Sequence, residues 1–253
     1  MDPEELGERL RGHGDGPAIV CAQAGNIDTG AIDPIGDIVA VAHDHGAWAH
    51  VDGAFGLWAL ASPGRRELLE GNEAADSWAT DAHKWLNVPY DSGFVAVADP
   101  APHRRSMAVR APYLEYAEGA EPPRDPVDWT PEFSRRARGV AVYAALRHLG
   151  RAGIADLVDR CCDLATHFAA RLDGLHGARV LNDVVLNQVL VSFGSTERTQ
   201  AIVRGVQAEG TCWLSGTTRR GEAAMRISVC GAATTSADVD RAADAILSVA
   251  ATE

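Results

Sequence analysis

Basic residues are scarce in this chain of 253 residues: 23 Lys and Arg stand against 35 Asp and Glu, a formal net charge of −12. An acidic surface repels a phosphate backbone and gains nothing from counterion release, so nucleic acid is not an expected partner. Long apolar runs are also lacking. The longest, such as AIVCAQA at 18–24, fall far short of the ~20 residues a membrane span needs. The opening MDPEELGERL is charged where a secretory signal would be apolar. The expectation is a cytoplasmic protein with no membrane partner. Cysteine is sparse: Cys21, Cys161, Cys162, Cys212 and Cys230 are odd in number and show no C-x-x-C spacing, which excludes a disulfide framework or a zinc knuckle. Three histidines crowd at His43, His45 and His50, but no third ligand follows His43 and His45 at a recognisable spacing, and no metal is expected. Repeats and low-complexity tracts are missing too. With 46% hydrophobic and 23% charged residues, the composition excludes disorder, collagen and coiled coil.

What is present in the first hundred residues is an alternation of short apolar runs and helical patterns, the rhythm of parallel strands and crossover helices. Strands are predicted at 18–24, 47–52, 77–80 and 93–98. Between the first two, Asp33 is placed to cap a helix, Pro34 takes its first position, and Ile35, Ile38, Val39 and Ala42 form its apolar face, with Gly46 ending it. Residues 100–129 carry no sustained period and read as a connector or loop. Helices are predicted from Thr130 to Leu149, closed by Gly150, and over 153–173. Strands at 178–181, 187–193, 211–215 and 224–230 and helices at 196–209 and 236–250 follow. That change of pattern places a boundary near 130, with 1–129 and 130–253 as two units.

Three strand ends carry polar clusters, GNIDTG, DGAFG and DAHKW, and in open α/β sheets ligands bind outside the carboxyl ends of strands. Asp52 closes an apolar strand, where a carboxylate is costly unless it meets a cation. Lys84, between His83 and Trp85, is in a setting expected to be partly desolvated, which favours nucleophilic attack on carbonyls. Thr29 lies in a glycine-flanked turn whose hydroxyl and backbone N–H groups suit an anionic oxygen. Singly, each residue is more often a turn former or a solvated charge. Together, ordered along consecutive strands, they meet the needs of pyridoxal phosphate: a lysine for the aldehyde, an acid for the ring nitrogen, and donors for oxygen or phosphate.

QAGNIDTGAIDPI, AHVDGAFG and DSWATDAHKWLNVPYDSG resemble the cofactor core of the pyridoxal-phosphate-dependent amino acid decarboxylases of the aromatic amino acid and glutamate decarboxylase group, a fold-type-I family. The resemblance continues through PYLEYA, DWTPEFSRRARGVAVYAALRHLG and GTCWLSGTT…AAMRISVC, so it covers essentially the whole chain. It implies an α/β fold: an incomplete fold-type-I large domain with a mostly parallel sheet over 1–129, including an active-site loop at about 100–129, then a helical connector and a small α+β C-terminal domain over 130–253. It further implies Lys84 as the lysine that bonds the cofactor, Asp52 as partner of the pyridine nitrogen, Ala54 against the ring face, His83 beside the phosphate, and Thr29 near the cofactor and the substrate carboxylate.

In the family the protonated ring takes up the electron pair left by departing carbon dioxide, and a tyrosine on a loop returns the proton. Tyr113 in APYLEYA falls at the matching place, with Tyr116 its nearest competitor and a packing role its plainer reading. Arg135, Arg136 and Arg138 match a basic run of the family, for which a structural role at the loop is expected.

Relatives of this kind carry a longer N-terminal portion with a Gly/Ser/Ala loop for the phosphate and a histidine that stacks on the ring. Neither is found ahead of Lys84, and His13 lies too near the first strand for that role. The expectation is therefore a carboxy-lyase chain acting on a small amino acid, in an oligomer, with a second polypeptide supplying the N-terminal part of the large domain. The alternatives are a non-catalytic or vestigial subunit, or another fold-type-I reaction such as transamination or carbon–sulfur cleavage, since lysine and aspartate serve them all.

Overall fold

Asp2 opens the first helix: its carboxylate accepts from the backbone N–H of Glu4 at 2.8 Å and of Glu5 at 3.2 Å, and Pro3 takes the first position of α1 (Pro3–Arg11). In the computed structural model, which describes residues 1–108 and 124–253, α1 packs on the crossover helix of a four-stranded sheet.

That sheet holds β1 (Ile19–Gln23), β2 (Trp48–Asp52), β3 (Ser77–Asp81) and β4 (Gly93–Val97), in that spatial order. β1, β2 and β3 run parallel, with Gln23 opposite Asp52 and Asp52 opposite Ala79. β4 is antiparallel to β3 and sets Gly93 opposite Asp81. The sheet is therefore mostly parallel, and the last strand reverses because its connection from β3 stays at the same end of the sheet. Alternate residues Val20, Ala22, Ala49 and Val51 are buried.

Helix α2 (Ile35–Asp44) crosses from β1 to β2 and buries Ile35, Ile38, Val39 and Ala42, the predicted face. Asp33 does not cap it. Its Oδ2 instead accepts from Gln23 N at 2.8 Å and its Oδ1 pairs with the Met1 amine, so Pro34 takes the cap position and the helix starts at Ile35. The β2 to β3 crossover is a series of 3-10 turns, Gly56–Ala61, Arg66–Leu69 and Asn72–Ala74.

Residues 100–129 are not wholly irregular. Asp99 accepts from Ala101 N at 2.9 Å and Pro100 starts α3 (Pro100–Met107); a 3-10 turn follows at Pro126–Asp128. No side chain of α3 is buried; its cap and polar bonds from Arg104 to Asp128 and from His103 to Trp129 O hold it, and these leave no apolar period to read.

The long helix α4 (Arg138–Leu172) starts at Arg138 rather than Thr130, whose hydroxyl bonds the carbonyl oxygens of Glu132 at 3.2 Å and Pro126 at 3.4 Å. Gly150, at φ 61 and ψ −177, interrupts it where the first of two helices was expected to close. Past Gly150, Leu157, Val158, Cys161 and Cys162 join the core under the first sheet, while Leu164, Ala165, Phe168 and Leu172 join the second core.

The second sheet has the order β5-β6-β8-β7 and is antiparallel throughout: β5 (Arg179–Val180), β6 (Gln188–Ser192), β7 (Ser215–Arg219) and β8 (Glu222–Ser228). The strand expected at 211–215 forms later, at β7, because Arg220 (φ 51) and Gly221 (φ 87) make a two-residue hairpin turn that fixes where β7 ends and β8 begins. α5 (Thr196–Glu209) is capped by Ser195, and α6 (Ser236–Ala250) by a reciprocal Thr235 and Asp238 capping box. Among the described residues no helix is long and apolar enough to cross a membrane.

Candidate functional site

The parallel run of β1, β2 and β3 brings their carboxyl ends to one side of the sheet. Asp52 is the last residue of β2, and its Oδ1 accepts from Ala54 N at 3.1 Å in the turn beyond. That turn is tied to β3 on both sides: Gly53 N donates to Ala79 O and Asp81 N donates to Ala54 O, each at 2.9 Å. Gly56 is required here because a Cβ would stand 2.2 Å from the Ala24 carbonyl oxygen at the end of β1.

β3 ends at Asp81, and the turn beyond it carries His83 and Lys84. Ser92 O accepts from both Ala82 N (2.9 Å) and His83 N (3.1 Å), which holds this turn against the start of β4. The His83 Nδ1 lies 2.8 Å from Ser92 O and 3.0 Å from Ser92 N, and its ring stacks on Tyr90 at 4.2 Å. Lys84 Nζ pairs with Asp81 Oδ2 at 2.9 Å, and His83 Nε2 lies 3.7 Å from the same oxygen. The lysine is partly desolvated, its side chain 37% exposed, and it sits on a carboxylate supplied by its own strand.

Asp52, Ala54, His83 and Lys84 line one cavity of about 610 Å³, whose far wall is built by Gln188, Arg226 and Ser228 of the second sheet with Asn187 and Cys230 just outside its strands. Two walls of different origin thus face each other across a space large enough for a small cofactor and substrate.

Residues 1–194 match the family model described as the pyridoxal-dependent decarboxylase conserved domain. The chain belongs to the pyridoxal-dependent decarboxylase family. It is 31% identical over 180 residues to the L-tyrosine/L-DOPA decarboxylase 2 of Lophophora williamsii, covering 69% of this chain and 34% of that one. It is 28% identical over 228 residues to the aromatic-L-amino-acid decarboxylase of Drosophila lebanonensis, covering 88% of this chain and 56% of that one. The structure superimposes on the crystal structure of Oryza sativa TDC with PLP and tryptamine with a TM-score of 0.92 at 24% identity, over all of this chain and 55% of the other. The fold is accordingly that of the fold-type-I pyridoxal phosphate enzymes. The chain spans about a third to a little over half of the relatives it matches.

The residues on the cavity wall suit the cofactor of this decarboxylase family. An amine for the aldehyde (Lys84) and a carboxylate for the ring nitrogen (Asp52) share one cavity, and the methyl side chain of Ala54 leaves room for a flat ring. His83 and Arg226 add polar groups at its border.

Thr29 is not brought to that cavity. It lines a neighbouring one of about 720 Å³ with Asp33, Asn182 and Arg219, and its hydroxyl closes a local turn, 3.2 Å from Asn26 Oδ1 and accepting from Ala31 N. Tyr113 and Tyr116 lie outside the described residues. Each of the crowded histidines has a partner of its own: His43 with Asp76 at 3.1 Å, His45 with Val41 O at 2.9 Å, His50 with Ser77 Oγ at 2.8 Å.

Arg136 and Arg138 close on the loop that follows the lysine turn. Arg138 bonds both carboxylate oxygens of Asp91, at 2.9 and 3.0 Å, and Arg136 reaches the carbonyls of Tyr90 and Asp91. The Arg138 hydrogen bonds hold the Asp91 carboxyl down at about 2. Arg135 caps the carbonyl of Glu132.

Asp81, Tyr90, Arg226 and Cys230 escaped the sequence reading. Asp81 stood within the DAHKW cluster, three residues ahead of the lysine, and that spacing was its only signal. Arg226 and Cys230 are more than 140 positions away, and no local pattern connects them to Lys84.

Proposed function

We propose that this chain carries the lysine-bearing wall of a pyridoxal-phosphate-dependent amino acid decarboxylase, a carboxy-lyase. The observation that carries it is the convergence of Lys84 and Asp52 on one cavity. Relatives named as tyrosine, DOPA and aromatic-amino-acid decarboxylases support an aromatic amino acid as substrate.

Pyridoxal phosphate, when bound, supplies the electron sink for the pair that carbon dioxide leaves behind. Lys84 would hold the cofactor through its aldehyde, its amine lining the same cavity as Asp52. Asp81 Oδ2 is within hydrogen-bond distance of Nζ and takes up or returns its proton. Asp52 would hold the proton on the ring nitrogen, Ala54 would flank the ring, and His83, its imidazole fixed by Ser92 and Tyr90, would stand beside the phosphate. Tyr113 returns the proton to the substrate carbon.

A second polypeptide supplying the phosphate loop and the ring-stacking histidine completes the proposal, in an oligomeric assembly. Support comes from the outer strands of the first sheet, where Ile19 (71%), Val95 (51%) and Phe94 (44%) leave apolar surface open. A cytoplasmic setting is supported by five cysteines that form no disulfide.

The deciding experiment is the visible spectrum with pyridoxal phosphate, taken on the chain alone and with any co-purifying polypeptide, followed by borohydride reduction and peptide mapping. Cofactor trapped on Lys84 in the complex, with carbon dioxide and amine released from an aromatic amino acid, is expected. Relatives named as aldehyde synthases make the aldehyde a product to be assayed alongside the amine. No cofactor trapped on Lys84 in either state would overturn the reading and leave a non-catalytic subunit.

A further inference from the structure

We infer that Asn87 is a positioning residue that fixes the lysine-bearing turn to the opposite wall of the same cavity. The inference rests on the proposed role of Lys84, and the geometry behind it is independent of that role. Asn87 ends the turn, its N–H donating to Lys84 O at 3.3 Å. Its backbone is left-handed, at φ 57, a conformation that asparagine adopts more readily than most side chains.

In that conformation the side-chain amide uses all its main bonding groups on backbone. Nδ2 donates to Trp85 O at 2.6 Å, within the turn, and to Cys230 O at 2.8 Å. Oδ1 accepts from Ala232 N at 3.1 Å. The amide thus meets the carbonyl and the N–H on either side of Gly231 much as a neighbouring strand would, and the pairing needs no particular side chain at 230 or 232.

Cys230 is the point at which this bond matters. It leaves β8 beyond Ser228, and it lines the cavity together with Ser228 and Arg226, facing Lys84 and Asp52. The flanking residues Trp85, Leu86 and Val88 are buried and fix the turn from below, Leu86 and Val88 against Ala141, Val142, Ala145 and Leu146 of α4. Trp85 shares its core with Leu186, and Cys230 packs against it, so apolar contact brings the two walls together. Asn87 adds the directional tie at the lysine turn itself, with two bonds that cross 143 and 145 positions of sequence and a third that braces the turn.

Two variants separate this role from general stability. Asn87→Gly keeps the left-handed backbone and loses the amide; Asn87→Asp keeps the shape and loses both donors. The first readout needs no activity: alkylation of Cys230 by N-ethylmaleimide, mapped by mass spectrometry, with Cys161 and Cys162 as buried controls. The second is the pyridoxal phosphate concentration for half-maximal borohydride trapping on Lys84, in whichever state, chain or complex, traps it.

Both variants are expected to label Cys230 about fivefold faster or more, as loss of one or two hydrogen bonds between the walls allows, while Cys161 and Cys162 stay protected. Half-maximal trapping should move to higher cofactor concentration by a similar factor. Unchanged Cys230 labelling in both variants would overturn the role of Asn87. Absence of trapping in the parent overturns the proposed function instead, and the labelling result still decides Asn87.

Discussion

Lys84 Nζ and Asp81 Oδ2 stand 2.9 Å apart at the end of one strand, so the amine assigned to the cofactor is held by a carboxylate three residues before it. Removing that carboxylate leaves the amine without its counter-charge. Asp81→Asn is expected to speed acetylation of Lys84 by acetic anhydride at pH 8 by up to about fivefold, the range open to a partly exposed ion pair. Quantitative peptide mapping against other amines measures it, and an unchanged Lys84 rate would sink the idea.

The Asp91 clamp should show itself in acid. Its carboxyl is held at about 2 against an ordinary 3.8, chiefly by the Arg138 hydrogen bonds. A lowered carboxylate stabilises the folded chain above its unfolded value and loses that contribution as pH falls through the folded one. The melting temperature of Asp91→Asn should therefore lie below the parent's by a constant margin from pH 7 to 5, and the gap should close between pH 4 and 2. High salt should narrow it, since the pair is exposed. A gap at pH 2 as wide as that at pH 7 would refute the clamp.

Two glycines should fail for different reasons. Gly56→Ala drives a methyl into the Ala24 carbonyl, at 2.2 Å from the oxygen and 2.7 Å from the carbon, both backbone. A cost of about 2 kcal/mol or more is expected in urea unfolding. Gly150→Ala meets nothing within 4 Å among the described residues, so its backbone at φ 61 and ψ −177 is what resists, for about 1 to 2 kcal/mol. Equal tolerance of both substitutions would contradict the geometry.

Thiol chemistry should follow burial. Burial pushes the Cys162 thiol up to about 12, only partly offset by Arg65, and raises that of Cys161. Cys21 is exposed on the outer strand β1. At pH 8 a disulfide reagent is expected to react first at Cys21 and to reach Cys161 and Cys162 only after denaturation. Early reaction at Cys162 would place that helix face in solvent.

Strand positions in the first sheet and the α2 face were legible because apolar spacing reports burial directly: Val20, Ala22, Ile38 and Val39 lie where their period puts them. Direction was not, since the residues of β4 carry no mark of running against β3. The α3 helix was hidden by its lack of any buried side chain, though Asp99 and Pro100 were its visible start. That Asp52 and Lys84 share a cavity follows from their places at strand ends, whereas Thr29, which looked equivalent, closes its own turn beside a neighbouring cavity. Asn87 could not be read, because its partners lie at the other end of the chain and are backbone atoms.

The helix α4 has a consequence for how the protein is made. Leu157, Val158, Cys161 and Cys162, and beyond them Leu186, form part of the core beneath β1, β2 and β3. A nascent chain that has delivered all four strands of the first sheet still lacks one wall of its own interior. Synthesis must run on past residue 186 before that interior can close. The first sheet therefore waits on the ribosome from Val97 until Leu186 has been delivered, and both cores should reach protease resistance together rather than in order of translation.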